Sequence, residues 1–215
     1  MKKTLFACFL TFYTLTAVAQ TGQTSRIVHT KEKSAIHVPP QEAPAGLKKI
    51  YSNLGKSKTD LYNETFGYGI EGPLAGGLTQ FVGMPFTPKS DSHVSQVQVA
   101  MGYNGTGNNQ VNLSIYTDSR NAPGTLLAGP VTVTNLPDGG TCCILTVANF
   151  SSVAVTGGTQ YWVVADTPLT GTGSDFSGIW NFVVTYIPQA VNQGSGWFGF
   201  NGLTEAAGEV LGTIP

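Results

Sequence analysis

The chain has 215 residues, 41% of them apolar and only 11% charged, with a formal net charge of −1. The apolar share is enough to bury a core, but the charged share is less than half the usual ~25%. So sparse and balanced a charge, with no basic-aromatic module, argues against a nucleic-acid-binding protein.

Lys2 and Lys3 open the chain, and Leu5 to Ala19 follow almost unbroken in apolar and small side chains. Ala17-Val18-Ala19 before Gln20 has the small-x-small form cut by signal peptidase, so residues 1–19 are predicted to be a secretory signal peptide. The stretch is short of the ~18–20 apolar residues of a membrane span. Leu5-Phe6-Ala7-Cys8 resembles a lipidation box, but it lies too close to Lys3 for an apolar region of ~7–15 residues to precede the cut. The expectation is a Sec-exported, extracellular protein with no membrane span in its mature part.

Residues 20–58 carry Pro39-Pro40, Pro44, seven basic residues against two acidic ones, and no sustained apolar period. They read as a disordered basic leader, within which Leu47–Leu54 has room for a helical turn. Residues 59–215 hold two basic residues against ten acidic ones and read as one domain.

In that domain the period becomes two. Val97, Val99 and Met101 alternate with Gln96, Gln98 and Ala100, and Val111, Leu113 and Ile115 alternate with Asn112 and Ser114. Asn104-Gly105 and Gly107-Asn108-Asn109 form the turn between them. Leu126-Leu127 and Val131–Thr134 follow, then the turn Leu136–Gly140, then Thr141–Ala148, Val153–Val155, Gln160–Thr167, Ile179–Tyr186 and Trp197–Phe200. Tyr161–Ala165 and Ile179–Val184 are apolar on both faces, which places them centrally. Short, evenly spaced strands punctuated by Gly, Asn and Pro predict an all-β, antiparallel, jelly-roll-like β-sandwich.

These residues also have an order similar to that of a known family. Phe81-x4-Phe86-Thr87-Pro88 is followed by Val94–Val97, Val111–Ser119, Ala122–Leu127, Leu136-Pro137, Gly158–Ala165 and Trp180-Asn181. Together they resemble the bacterial choice-of-anchor R domain of exported surface proteins, over about Thr79 to Asn201. The resemblance implies an extracellular β-sandwich with no established activity and no catalytic residues to carry over. The chain departs from that pattern in ending without a sorting tail.

Chemistry-bearing residues are few. Cys142 and Cys143 are adjacent, where an oxidising compartment favours pairing. Adjacent Cα atoms sit ~3.8 Å apart across a trans peptide, below the usual disulfide range. A vicinal bridge, two separate thiols and a link to another chain therefore all remain open. Of the tryptophans, Trp162 and Trp180 sit in apolar strands that favour the core. Trp197, in Gly194–Phe200, is the likeliest to present its ring to solvent. Trp197, and second to it Trp180, are the candidate ligand-binding residues, with extracellular polysaccharide or a cell-surface polymer as the first partner to consider. Asp118, Ser119 and Asn121 supply too few oxygens for calcium, and the paired cysteines lack further ligands for zinc. No metal or cofactor is expected. Neither a Gly-x-Ser-x-Gly elbow nor a His-Glu-x-x-His pair occurs, and Asp166 with Asp175 would make a glycosidase pair only if folding joined them. The expectation is a non-catalytic binding or surface-matrix module, with a structural spacer or an unrecognised hydrolase as alternatives.

Overall fold

A computed structural model describes residues 27–31, 36–37, 44–56 and 60–215. Among them are strands and no helix. In chain order these are β1 (His29–Lys31), β2 (Ile36–His37), β3 (Lys48–Ser52), β4 (Asn63–Glu71), β5 (Phe81–Phe86) and β6 (Ser92–Val99). Next come β7 (Met101–Thr106), β8 (Gln110–Asp118), β9 (Pro123–Thr134), β10 (Thr141–Cys142), β11 (Thr146–Val155) and β12 (Tyr161–Asp166). The last are β13 (Ser177–Val184), β14 (Pro188–Asn192), β15 (Trp197–Asn201), β16 (Thr204–Ala206) and β17 (Gly208–Thr213).

The largest sheet has six strands in the order β15-β14-β5-β12-β8-β9. Opposite it lie a four-stranded sheet, β11-β6-β17-β3, and a sheet built on β1-β4-β13-β16 with β7 also paired to β13. All these pairs are antiparallel, and only the short β10–β2 pair is parallel. The period-two pattern explains the arrangement. On β5, β8 and β12, Val82, Met84, Val111, Leu113, Ile115, Val163 and Ala165 turn one way into the shared core. They meet Val97, Val99 and Val210 from the four-stranded sheet, and Tyr68, Met101 and Trp180 from the third. Two packed layers each bury one face, giving the sandwich-like all-β fold.

The expected boundary at residue 58 does not hold for the described part of the leader. Instead of a helical turn, Lys48–Ser52 forms an edge strand on β17, and Ile50 enters the core. Tyr51 Oη donates to Glu205 Oε1 at 2.6 Å, and Lys49 Nζ lies 2.6 Å from Glu209 Oε2. Lys-Lys-Ile-Tyr-Ser does not alternate in polarity, and the surrounding charge and flanking glycines hid the single buried isoleucine. Further upstream, Val28 N donates to Gln80 Oε1. The signal-peptide segment 1–19 and residues 20–26, 32–35, 38–43 and 57–58 of the leader lie outside the described residues.

Candidate functional site

β12 is covered on both faces, but by different things. Tyr161, Val163 and Ala165 face the core. Trp162 and Val164 face outward, where they join Ala190 of β14 in a second cluster with the half-buried Tyr116, Ala122 and Trp197. The cover is the segment after β8, which folds back over the sheet. Ser119 N donates to Ala122 O at 2.8 Å, with Arg120 and Asn121 in the left-handed region at φ 58° and 60°. This close approach needs glycine beneath it. A Cβ at position 83 would lie 3.1 Å from the Trp162 ring and 3.2 Å from Pro123, and one at position 199 would collide with the Asn121 carbonyl. Asp118 fixes the arrangement from the side, its Oδ1 accepting from Trp162 Nε1 and Gln160 Nε2, each at 2.8 Å.

Beside this patch the same face continues as a row that is only partly open: Phe81 and Asn112 are buried, Trp197, Asn192 and Asp166 are half-buried, and Thr132 is exposed. Trp197 pairs with Asn192, which pairs with Phe81. Asp166 pairs with Asn112, which pairs with Thr132. Because Ala165 is opposite Val82, Asp166 falls next to Phe81, so the six residues form one line across all six strands. At ~4.8 Å per strand the line is about 24 Å long. Paired residues in an antiparallel sheet share a face, so all six side chains point to the same side. One end is aromatic, with Trp197 half-buried and Phe81 nearly covered; the other is polar.

At the polar end, Thr132 Oγ1 donates to Asn112 Oδ1 at 2.9 Å, which leaves the Asn112 amide to donate to Asp166. Burial pushes the Asp166 carboxyl up to about 6, against the lowering effect of that hydrogen bond. The Tyr116 phenol is raised by burial and, to a lesser extent, by the Asp166 charge. An aromatic platform lying in line with a hydroxyl, an amide and a carboxyl can stack an apolar ring face while exchanging hydrogen bonds with hydroxyls.

The structure distributes the sequence-predicted residues unevenly. Trp197 lies in the row. Trp180, the second candidate, does not: its ring is fully buried between the sheets and its Nε1 donates to Ala207 O at 2.9 Å. A central strand covered on both sides leaves that ring no surface to offer, so Trp180 serves packing. Cys142 and Cys143 are joined by a disulfide and fully buried in a separate cluster with Tyr62, Ala100, Leu145 and Ala207. Tyr62 Oη donates to the carbonyls of Thr141 and Ile144 on either side of the bridge. Asp175 is held by Asn108, whose backbone and side-chain N–H groups keep its carboxyl below the usual range, whereas Asp166 faces Asn112. Among the described residues no group of three His, Cys, Asp or Glu side chains is placed to hold a metal ion.

Phe81, Asn112, Thr132 and Asn192 are the site residues that sequence reasoning missed, and Asp166 was considered only as a partner for Asp175. The polar alternation on β8 placed Asn112 on the outward face, but nothing local announced which strands would flank it. Two further hollows differ in character. A groove of about 590 Å³ between β9 and β11, lined by Leu127, Pro130 and Phe150 among others, has no ionisable group. One of about 410 Å³ beside Tyr62 has Asp60 and Glu64 at its wall. Comparison with known protein families finds no match, and no curated protein is detectably similar to the chain.

Proposed function

We propose that the protein is an exported, non-catalytic binding module whose outer six-strand row holds a neutral polysaccharide laid across the strands. One observation carries this reading: the register lines up the half-exposed Trp197 with the hydrogen-bonded Asp166–Asn112–Thr132 group on a single outer face. The row is long enough for several sugar rings, each stacking on or bonding to a different strand. Asp166 is its only ionisable group, so uronate or sulfate chains would meet repulsion while uncharged hydroxyls would meet acceptors. The signal-peptide-like start and the resemblance to choice-of-anchor R surface domains belong to the same reading, because both imply a protein that works outside the cell.

The test is pull-down by insoluble cellulose, xylan, chitin and β-1,3-glucan, with Trp197→Ala and Asp166→Asn variants compared at equal folded concentration. Truncating an aromatic anchor that dominates a site costs ~2 kcal/mol, so Trp197→Ala should weaken binding ~30-fold. Retention of no polysaccharide above background would favour the structural spacer. Retention unaffected by Trp197→Ala would place binding elsewhere.

A further inference from the structure

The six-stranded sheet has two edges, β9 and β15, and they are built differently. β9 carries Pro123 and Pro130, which offer no N–H, and its register against β8 breaks in three places. Prolines and bulges are how natural edges refuse a further strand. β15 has neither. Its five residues pair with β14 in unbroken register, and on the other side it has no strand partner among the described residues. Its own segment carries no charge, since Phe176 to Thr204 contains no Asp, Glu, Lys, Arg or His, and the charged side chain brought next to it by the covering loop is Arg120, whose neighbour Asn121 lies over Gly199.

The edge is apolar as well as open. Phe198 is 51% exposed and stacks on Phe200 with ring centroids 6.1 Å apart. The Phe200 ring borders Gly202, Thr185 N donates to Leu203 O, and Leu203 and Tyr186 are exposed by 58% and 80%. With Phe198 these side chains leave on the order of 400 Å² of apolar surface in water, within the range of the largest patch of a typical monomer. Adding the strand backbone and Phe200 brings the area towards the ~800 Å² per partner of a standard interface.

We propose that β15 pairs antiparallel with β15 of a second copy of the chain, about a twofold axis at Gly199. Trp197-Phe198-Gly199-Phe200-Asn201 reads almost alike in both directions around that glycine. In this register Phe198 of each copy faces Phe200 of the other, giving two aromatic cross-strand pairs. The paired strands carry no charged side chain, so they meet without like-charge repulsion between them, and because β9 is closed to strands, pairing through β15 ends at two copies rather than growing into a fibre. The product is one continuous sheet with both Trp197 rings on the same outer face. They are offset by four residues along neighbouring strands, or about 14 Å. The pairing does not rest on the polysaccharide reading, though it would make such a site bivalent.

Sedimentation velocity of the purified chain from about 1 to 100 μM tests it, using wild type, F198K and the double variant F198K/F200E. The expected result is a dimer for wild type, a monomer for F198K, and dimerisation restored in the double variant, where each new lysine faces a new glutamate of the other copy. Wild type that stays monomeric at 100 μM would overturn the proposal. So would a dimer indifferent to F198K, or one that the double variant fails to restore. Hydrogen exchange on wild type gives an answer free of any folding defect in the variants. β15 amides should become more protected as concentration rises, and protection independent of concentration would contradict the pairing.

Discussion

Asp118→Ala is the perturbation that probes most directly how the outer face is held together. Asp118 Oδ1 accepts from Trp162 Nε1 and Gln160 Nε2, both at 2.8 Å, and Trp162 is fully buried. Removing the carboxylate takes away the only acceptor that the indole N–H has among the described residues, at the edge of the 119–123 segment. Leaving a buried donor unsatisfied costs ~1–3 kcal/mol, and losing the bond to Gln160 adds ~1 kcal/mol. The sum, about 3 kcal/mol, corresponds to a fall in Tm of about 6–12 °C for a domain of this size. Asp118→Asn keeps an oxygen in place without its charge and should lose about half as much. The assay is urea denaturation followed by circular dichroism, with the same substitutions repeated in a Trp162→Phe background. Phenylalanine has no N–H, so there Asp118→Ala should cost ~1–2 kcal/mol less. A cost under ~0.5 kcal/mol in the native background, or an equal cost in both, would refute the assignment of Asp118 as the clamp on Trp162.

Other outcomes follow from the same structure. The Glu205 carboxyl is raised to about 7 by burial, against the hydrogen bonds from Tyr51 and Asn53. A buried acid that binds its proton more tightly when folded adds stability in full below its unfolded pKa and loses it as pH rises through the folded one. Unfolding free energy should therefore fall by roughly 3 kcal/mol between about pH 4.5 and 7. Glu205→Gln should flatten that slope in denaturation curves taken across the range. Gly83→Val should push Pro123 off the sheet and cost ~1–3 kcal/mol by overpacking, seen as faster proteolysis within residues 119–123. Tyr62→Phe should destabilise by ~1–2 kcal/mol through the lost bonds to the carbonyls of Thr141 and Ile144, measured by calorimetry. Polysaccharide binding should weaken as pH falls through about 6, where Asp166 takes up its proton and becomes a poorer acceptor, and Asp166→Asn should remove that dependence.

What could be read in advance was whatever is local to one strand. Alternation assigned Val97, Val99 and Met101 to the core, and all three are buried there. The two-faced apolar run of β12 correctly implied cover on both sides, although the cover on one side is a loop rather than a second sheet. β17 went unread because its glycines and Glu209 interrupt the apolar signal, yet Val210 and Leu211 are buried at the centre of the four-stranded sheet. β3 was hidden by its exposed lysines, although Ile50 is buried in the core and Tyr51 packs against it. The site was harder still. Residues 81, 112, 132, 166, 192 and 197 meet only through strand register, and pairing between distant segments leaves no mark on any one of them. Trp180 misled for the opposite reason: a large aromatic is equally at home in a core and on a binding face, and only its neighbours decide.

Tryptophan fluorescence offers the most direct test of the central claim. Trp162 and Trp180 are fully buried and Trp197 alone is half-exposed, so a ligand on the outer row should alter only the Trp197 signal. Titrating the protein with soluble cello-, xylo-, chito- and laminari-hexaose should give a saturable change with at least one of them, absent from Trp197→Phe at the same concentrations. Emission that stays flat with all four, or a change that persists in Trp197→Phe, would contradict the account.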